Sequence, residues 1–169
     1  ILPLEDINMY LPKMGNIYEL GSGWGSIATF LARKSDKRKV IGIDLDSKKI
    51  EYAQQSSNLE NLYFYVDDVL SFSYPRPMGF VMSDFLHHIP YQSQEKLLKK
   101  IVKNSTKKSV IVIKEIDAHD NWRKILSRLW DFILYPHDTI YYRSKTEWYQ
   151  KLTSLGFSVT VRRAAIYFP

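Results

Sequence analysis

Apolar residues fall along this chain in two alternating patterns. Short continuous runs rich in Ile, Val and Tyr occur at residues 16–20, 40–44, 62–66, 79–83 and 109–114. Runs of that length and composition predict strands buried on both faces. Between them the apolar spacing widens to a helical period at 24–33, 47–55 and 92–104, where Leu97, Leu98, Ile101 and Val102 form the stripe of the last segment. Strand alternating with helix predicts a parallel sheet wound by right-handed crossovers.

After the fifth strand the spacing predicts a helix over 121–135, with Trp122, Ile125, Leu126, Leu129 and Ile133 on one face. A further helix opens at Ser144, where Ser-Lys-Thr-Glu has the spacing of a capping box, and Gly156 marks its stop. Two last runs, 157–161 and 164–168, are joined too tightly for a crossover and predict an antiparallel hairpin. The expectation is one α/β domain over residues 1–169, a Rossmann-like, doubly wound, seven-stranded, mostly parallel sheet closed by a C-terminal hairpin.

The 169 residues, 45% hydrophobic and 14% aromatic, suit one self-folding domain and exclude disorder. Neither a membrane-crossing run nor a secretory leader is readable, so a cytoplasmic location is expected. The chain opens on Ile1 instead of Met, and residues preceding it are expected. The absence of cysteine excludes disulfides, thiolate metal sites and Cys nucleophiles. Charge divides unevenly: residues 1–90 hold 9 Lys/Arg and 11 Asp/Glu (net −2), residues 91–169 hold 15 and 7 (net +8). The basic half carries no arginine-rich reading stripe and no appended nucleic-acid module, which disfavours a nucleic-acid partner. Within 121–135, Arg123, Lys124 and Arg128 flank Trp122, Leu126, Leu129 and Trp130. That composition fits peripheral contact with an anionic membrane, while packing against the sheet is the favoured explanation of the same pattern.

The sequence Glu19-Leu20-Gly21-Ser22-Gly23-Trp24-Gly25 leaves the first strand through three alternate glycines and enters a helix. Glycines let a ligand approach the backbone, and the helix start offers free amides to an anion. Asp44, at the end of the second strand, can accept both hydroxyls of a ribose. A dinucleotide-binding oxidoreductase would place its third glycine one position later, where Ser26 stands.

Glu-Leu-Gly-Ser-Gly-Trp-Gly resembles motif I of the class I S-adenosylmethionine-dependent methyltransferases. The resemblance continues through Val-Ile-Gly-Ile-Asp-Leu-Asp-Ser (40–47), Val-Asp-Asp-Val-Leu (66–70), Met-Ser-Asp-Phe-Leu-His-His-Ile-Pro (82–90) and Leu-Gly-Phe (155–157). It implies S-adenosylmethionine as cofactor. Gly21, Ser22 and Gly23 would line the methionine moiety, with Glu19 reaching its ammonium through water. Asp44 would hold the ribose and Leu45 would pack on the adenine. Asp68 and Val69 would meet the adenine edge, with the roles of Asp67 and Asp68 exchangeable, and Ser83 and Asp84 would face the sulfonium. An acceptor of high pKa needs a base at the fourth strand, which makes His87 and His88 the candidates, with Asp84 in reserve; packing residues are the alternative for both histidines. The Leu-His-His loop resembles the quinone, lipid and polyketide branch. It implies a small, apolar or aromatic, lipid-like acceptor, and Tyr91, Tyr141 and Tyr142 could wall its pocket. A catalytically silent scaffold or RNA-interacting domain is the reading from another class.

Overall fold

The computed structural model describes residues 4–118 and 139–162. Its elements in chain order are α1 (Leu4–Tyr10), β1 (Gly15–Leu20), α2 (Ser26–Lys34), β2 (Arg38–Asp44), α3 (Ser47–Gln55), β3 (Leu62–Val66), β4 (Pro77–Ser83), a 3₁₀ turn (Leu86–His88), α4 (Tyr91–Asn104), β5 (Val110–Lys114) and α5 (Lys145–Ser154). The strands form one sheet in the order β3-β2-β1-β4-β5, every pair parallel. Chain order therefore reverses between β1 and β4, where an open α/β sheet leaves a crevice at its strand tips.

Side chains alternate across this sheet and divide the core in two. Ile17, Val40, Phe64 and Val81 pack on one face against Ile7, Leu11, Ile27, Leu31, Ile50 and Ala53, which come from α1–α3 and the residue after α1. Tyr18, Leu20, Ile41, Ile43, Phe80 and Met82 point the other way, onto Leu97 and Ile101 of α4. Each such side chain, taken fully from water, contributes about 1.5–3 kcal/mol.

Five strands lie within two residues of their sequence positions, and α3 spans the expected residues. Ser144 Oγ accepts from Glu147 N–H at 3.2 Å and Glu147 Oε2 accepts from Ser144 N–H at 2.7 Å, so the capping box is formed. Helix α1 was not legible in the sequence. It is tied down by Arg38, 1% exposed, whose guanidinium donates to Pro12 O at 2.7 Å, Asn8 Oδ1 at 2.8 Å, and the carbonyls of Asn8, Leu11 and Leu31. Among the described residues the sheet has five strands instead of seven. Residues 157–162 carry no strand, and the expected strand at 164–168 and the helix at 121–135 lie outside the described residues.

No helix spans the link from β3 to β4. Phe72 and Tyr74 of that link fill the place of one, with Tyr74 5.2 Å from both the Tyr18 and Phe80 rings, centroid to centroid. The link is latched at two ends: Asn16 Nδ2 and Tyr18 OH donate to Pro75 O at 2.7 and 2.8 Å, and Lys100 Nζ of α4 donates to Leu70 O at 2.6 Å.

Candidate active site

The glycine loop lies flat across the tip of β2. Gly21, Gly23 and Gly25 all take left-handed backbone, with φ of 71°, 51° and 78°, which a side chain would resist. Gly21 N–H and Ser22 N–H both donate to Ile43 O, at 2.9 and 3.0 Å. This close approach needs Gly42 as well: a Cβ there would stand 2.6 Å from the Phe64 ring and 2.9 Å from Ser22 Cβ. A Cβ on Gly23 would meet nothing within 4 Å, so the crest of the loop faces open space.

Asp44 binds that loop to the next. Its Oδ2 accepts from Gly23 N–H at 2.8 Å and its Oδ1 from Asp46 N–H at 2.9 Å, while Asp46 in turn caps α3. Glu19 sits beneath the loop, 3% exposed, accepting from Ala28 N–H in the first turn of α2 at 2.7 Å. Burial pushes its carboxyl up to about 8, against the Ala28 bond and with help from the Asp44 charge. The Asp67 amide donates to Asp44 O at 3.1 Å and so sets the next tip beside this one. Asp67 Oδ1 accepts from Asp68 N–H and Ser71 Oγ, and Asp68 Oδ1 accepts from Leu70 N–H at 2.8 Å. The Val69 side chain is core, whereas Leu45 is 71% exposed at the tip of β2.

At the tip of β4, Asp84 has a φ of 49°, a strained value for a residue with a side chain. Its amide donates to Lys114 O at 2.9 Å, and its carboxylate pairs with the Lys114 ammonium. The next turn carries both histidines and is clamped from two sides. Glu115 Oε1 accepts from the amides of Phe85 and Leu86 at 3.1 and 2.7 Å, and Glu115 Oε2 lies 2.6 Å from His87 Nδ1. On the other side buried Gln94 donates to the carbonyls of Leu86, Ile89 and Tyr141, and Arg143 holds its Oε1 at 2.7 Å. His87 is 2% exposed and His88 half-buried, with their rings 4.3 Å apart; Tyr142 lies 5.2 Å from His87.

The tips of β1, β2, β3 and β4 thus hold the predicted residues at one end of the sheet. Three of their oxygens, Ser22 Oγ, Ser83 Oγ and Asp84 Oδ1, are buried with no protein partner. Buried polar atoms without partners are costly, so a ligand with donors to offer is the natural complement. Together with the open crest at Gly23, these oxygens fit an adenosyl amino acid bearing an ammonium group.

Residues 17–107, more than half of the chain, match the model of a methyltransferase domain. The chain belongs to the methyltransferase domain family. Its cofactor is therefore S-adenosylmethionine, and the domain is an S-adenosylmethionine-dependent methyltransferase with a Rossmann-like α/β fold. Among curated proteins none matches the sequence. Solved structures share the fold at low identity. The cyclopropane synthase MmaA2 of Mycobacterium tuberculosis is 15% identical with a TM-score of 0.78, over 95% of this chain and 61% of that one. Magnesium protoporphyrin IX methyltransferase of Synechocystis, with bound S-adenosylhomocysteine, is 17% identical at a TM-score of 0.73, over 94% and 73%. The YcgJ protein of Bacillus subtilis is 15% identical at 0.72, over 90% and 67%. The chain spans between 48% and 76% of the length of such structures.

Sequence reasoning passed over Glu115, Gln94, Lys114 and Arg143. Glu115 had one readable signal, an acid directly following the fifth strand, next to the strand that leads into the histidines. Gln94 and Arg143 had none: Gln94 bonds backbone carbonyls, which carry no sequence signature, and Arg143 bonds Gln94 from far along the chain. Among the described residues no helix is long and apolar enough to cross a membrane.

Proposed function

We propose that this methyltransferase domain transfers a methyl group to a small, apolar or aromatic acceptor held beside the tip of β4. The observation that carries the reading is the set of unpartnered buried oxygens on Ser22, Ser83 and Asp84 at the crevice where strand order reverses. Gly21, Ser22 and Gly23 would hold the methionine end of S-adenosylmethionine, and Asp44 the ribose, with Leu45, Asp68 and Val69 beside the adenine. When bound, that cofactor supplies a methyl group on a sulfonium, already activated for in-line displacement. What remains for the chain is alignment, exclusion of water and removal of the acceptor's proton.

The acidic groups of the site favour a cationic ligand. Burial raises the Glu19 carboxyl to about 8, and it accepts from Ala28 N–H beneath the loop. His87 and His88 stand on the turn after β4 with Tyr91, Tyr141 and Tyr142 around them; Tyr91 OH reaches Tyr142 O at 2.8 Å and its ring lies 5.3 Å from that of Tyr141. An aromatic wall beside imidazole suits a phenol, an enol or a lipid-like acceptor whose proton must be taken. Asp84 is the reserve base, although its pairing with Lys114 lowers its claim to that role.

Isothermal titration with S-adenosylmethionine and S-adenosylhomocysteine, followed by a panel of a catechol, a naphthoquinol and a long-chain unsaturated fatty acid, tests the reading. Heat of binding and release of S-adenosylhomocysteine with at least one acceptor are expected. Binding without turnover would leave a silent cofactor-binding scaffold; absence of binding would remove the site altogether.

A further inference from the structure

We infer that Glu115 is a positioning residue of the acceptor end, acting through His87. The inference rests on the reading of His87 and His88 as the basic groups of that end. Glu115 is the first residue after β5, and its side chain is 5% exposed. One oxygen takes the amides of Phe85 and Leu86, and the other lies 2.6 Å from His87 Nδ1. A carboxylate can only accept, so the nitrogen facing it carries the proton. Glu115 thereby fixes His87 as the Nδ1–H tautomer, and the basic nitrogen of the neutral ring is Nε2. The same carboxylate ties that tautomer to the shape of the turn, because the two amides it accepts belong to the residues immediately before the histidines. Gln94 closes the turn from the opposite side through the carbonyls of Leu86 and Ile89. The His88 ring lies 4.3 Å from that of His87 on the same turn.

Glu115→Gln isolates the chemistry from the shape. Its carbonyl oxygen still accepts from Phe85 and Leu86, while its amide, turned toward Nδ1, offers a donor where the carboxylate offered an acceptor. The ring then moves its proton to Nε2. The measurement is the ¹⁵N–¹H long-range spectrum of the full chain at about pH 8, where an ordinary imidazole is neutral, with His87 assigned through His87→Gln. The native spectrum is expected to show the proton on Nδ1 and the Glu115→Gln spectrum to show it on Nε2. A native proton on Nε2, or an unchanged tautomer in Glu115→Gln, overturns the assignment. The native spectrum decides even where the variant folds poorly.

With the fastest acceptor of the panel above, Glu115→Gln should lower kcat about 10²-fold at unchanged KM for S-adenosylmethionine, and Glu115→Asp should recover part of it. An unchanged kcat overturns the positioning role. A panel with no turnover in the native protein overturns the proposed function instead and leaves the tautomer assignment standing.

Discussion

Glu19 is the residue whose surroundings alter its chemistry most. In the unfolded chain its carboxyl ionises near 4.5, whereas burial holds it protonated to about 8 in the folded one. Below 4.5 both forms keep the proton. Between 4.5 and 8 the unfolded chain releases a proton that the folded chain retains, so this group makes stability fall as pH rises, by up to ~1.4 kcal/mol per pH unit. Glu19→Gln keeps an acceptor for Ala28 N–H and has no proton to lose. Urea unfolding at a series of pH values should show a flatter stability profile for the variant across that window and higher stability than the native chain at its upper end. An identical slope would contradict the burial of this carboxyl. Glu19, Asp44 and the three glycines were legible because backbone conformation itself demanded glycine at regular spacing. Glu115 was not, because one acid after a strand forms no pattern until the neighbouring strand is laid beside it.

Elements were legible where burial dictated composition. The central strands β1, β2 and β4 announce themselves since burial on both faces admits few polar residues, the edge strand β3 does so by its Tyr, Phe and Val despite exposed side chains, and Ser144 and Glu147 announce α5 by capping chemistry alone. Helix α1 has seven residues, too few for a periodic stripe, and depends on tertiary contacts with Arg38. Replacing Arg38 by Met removes the donors to several buried carbonyls and should cost about 3 kcal/mol, read as a lowered urea midpoint. The glycine loop separates strain from fit. Gly23→Ala meets no atom within 4 Å and carries only the left-handed penalty of ~1–2 kcal/mol, yet places a methyl group where cofactor would lie. It should lose about 1–2 kcal/mol of stability and at least about tenfold in affinity for S-adenosylhomocysteine, which equals about 1.4 kcal/mol. Gly42→Ala drives Cβ against Phe64 and Ser22 and should lose both stability and affinity. Calorimetry of binding and thermal unfolding of the two variants distinguish these outcomes.

For the whole molecule, one fact organises the rest: the sheet order 3-2-1-4-5 sends the tips of β1, β2 and β4 to the same crevice. A ligand spread over three strands should stabilise the fold as a unit. At 100 times its dissociation constant, S-adenosylmethionine should add about 2.7 kcal/mol, or about 5–10 °C in Tm for a chain of this size. NAD should add nothing, since Ser26 stands where its loop needs glycine. A stronger shift with NAD would reverse the assignment of the loop. The expected first arm of the hairpin, 157–161, carries no strand, while its second arm and the 121–135 helix lie outside the described residues.

The helix-free link between β3 and β4 carries Asp67 and Asp68 at one end and is fastened by Lys100 at Leu70 O. Lys100, half-buried on α4 and remote in sequence from that link, therefore holds in place the loop that carries Asp67 and Asp68. Removing that amine, as in Lys100→Met, would release the link at Leu70 while leaving its other fastening, at Pro75, in place.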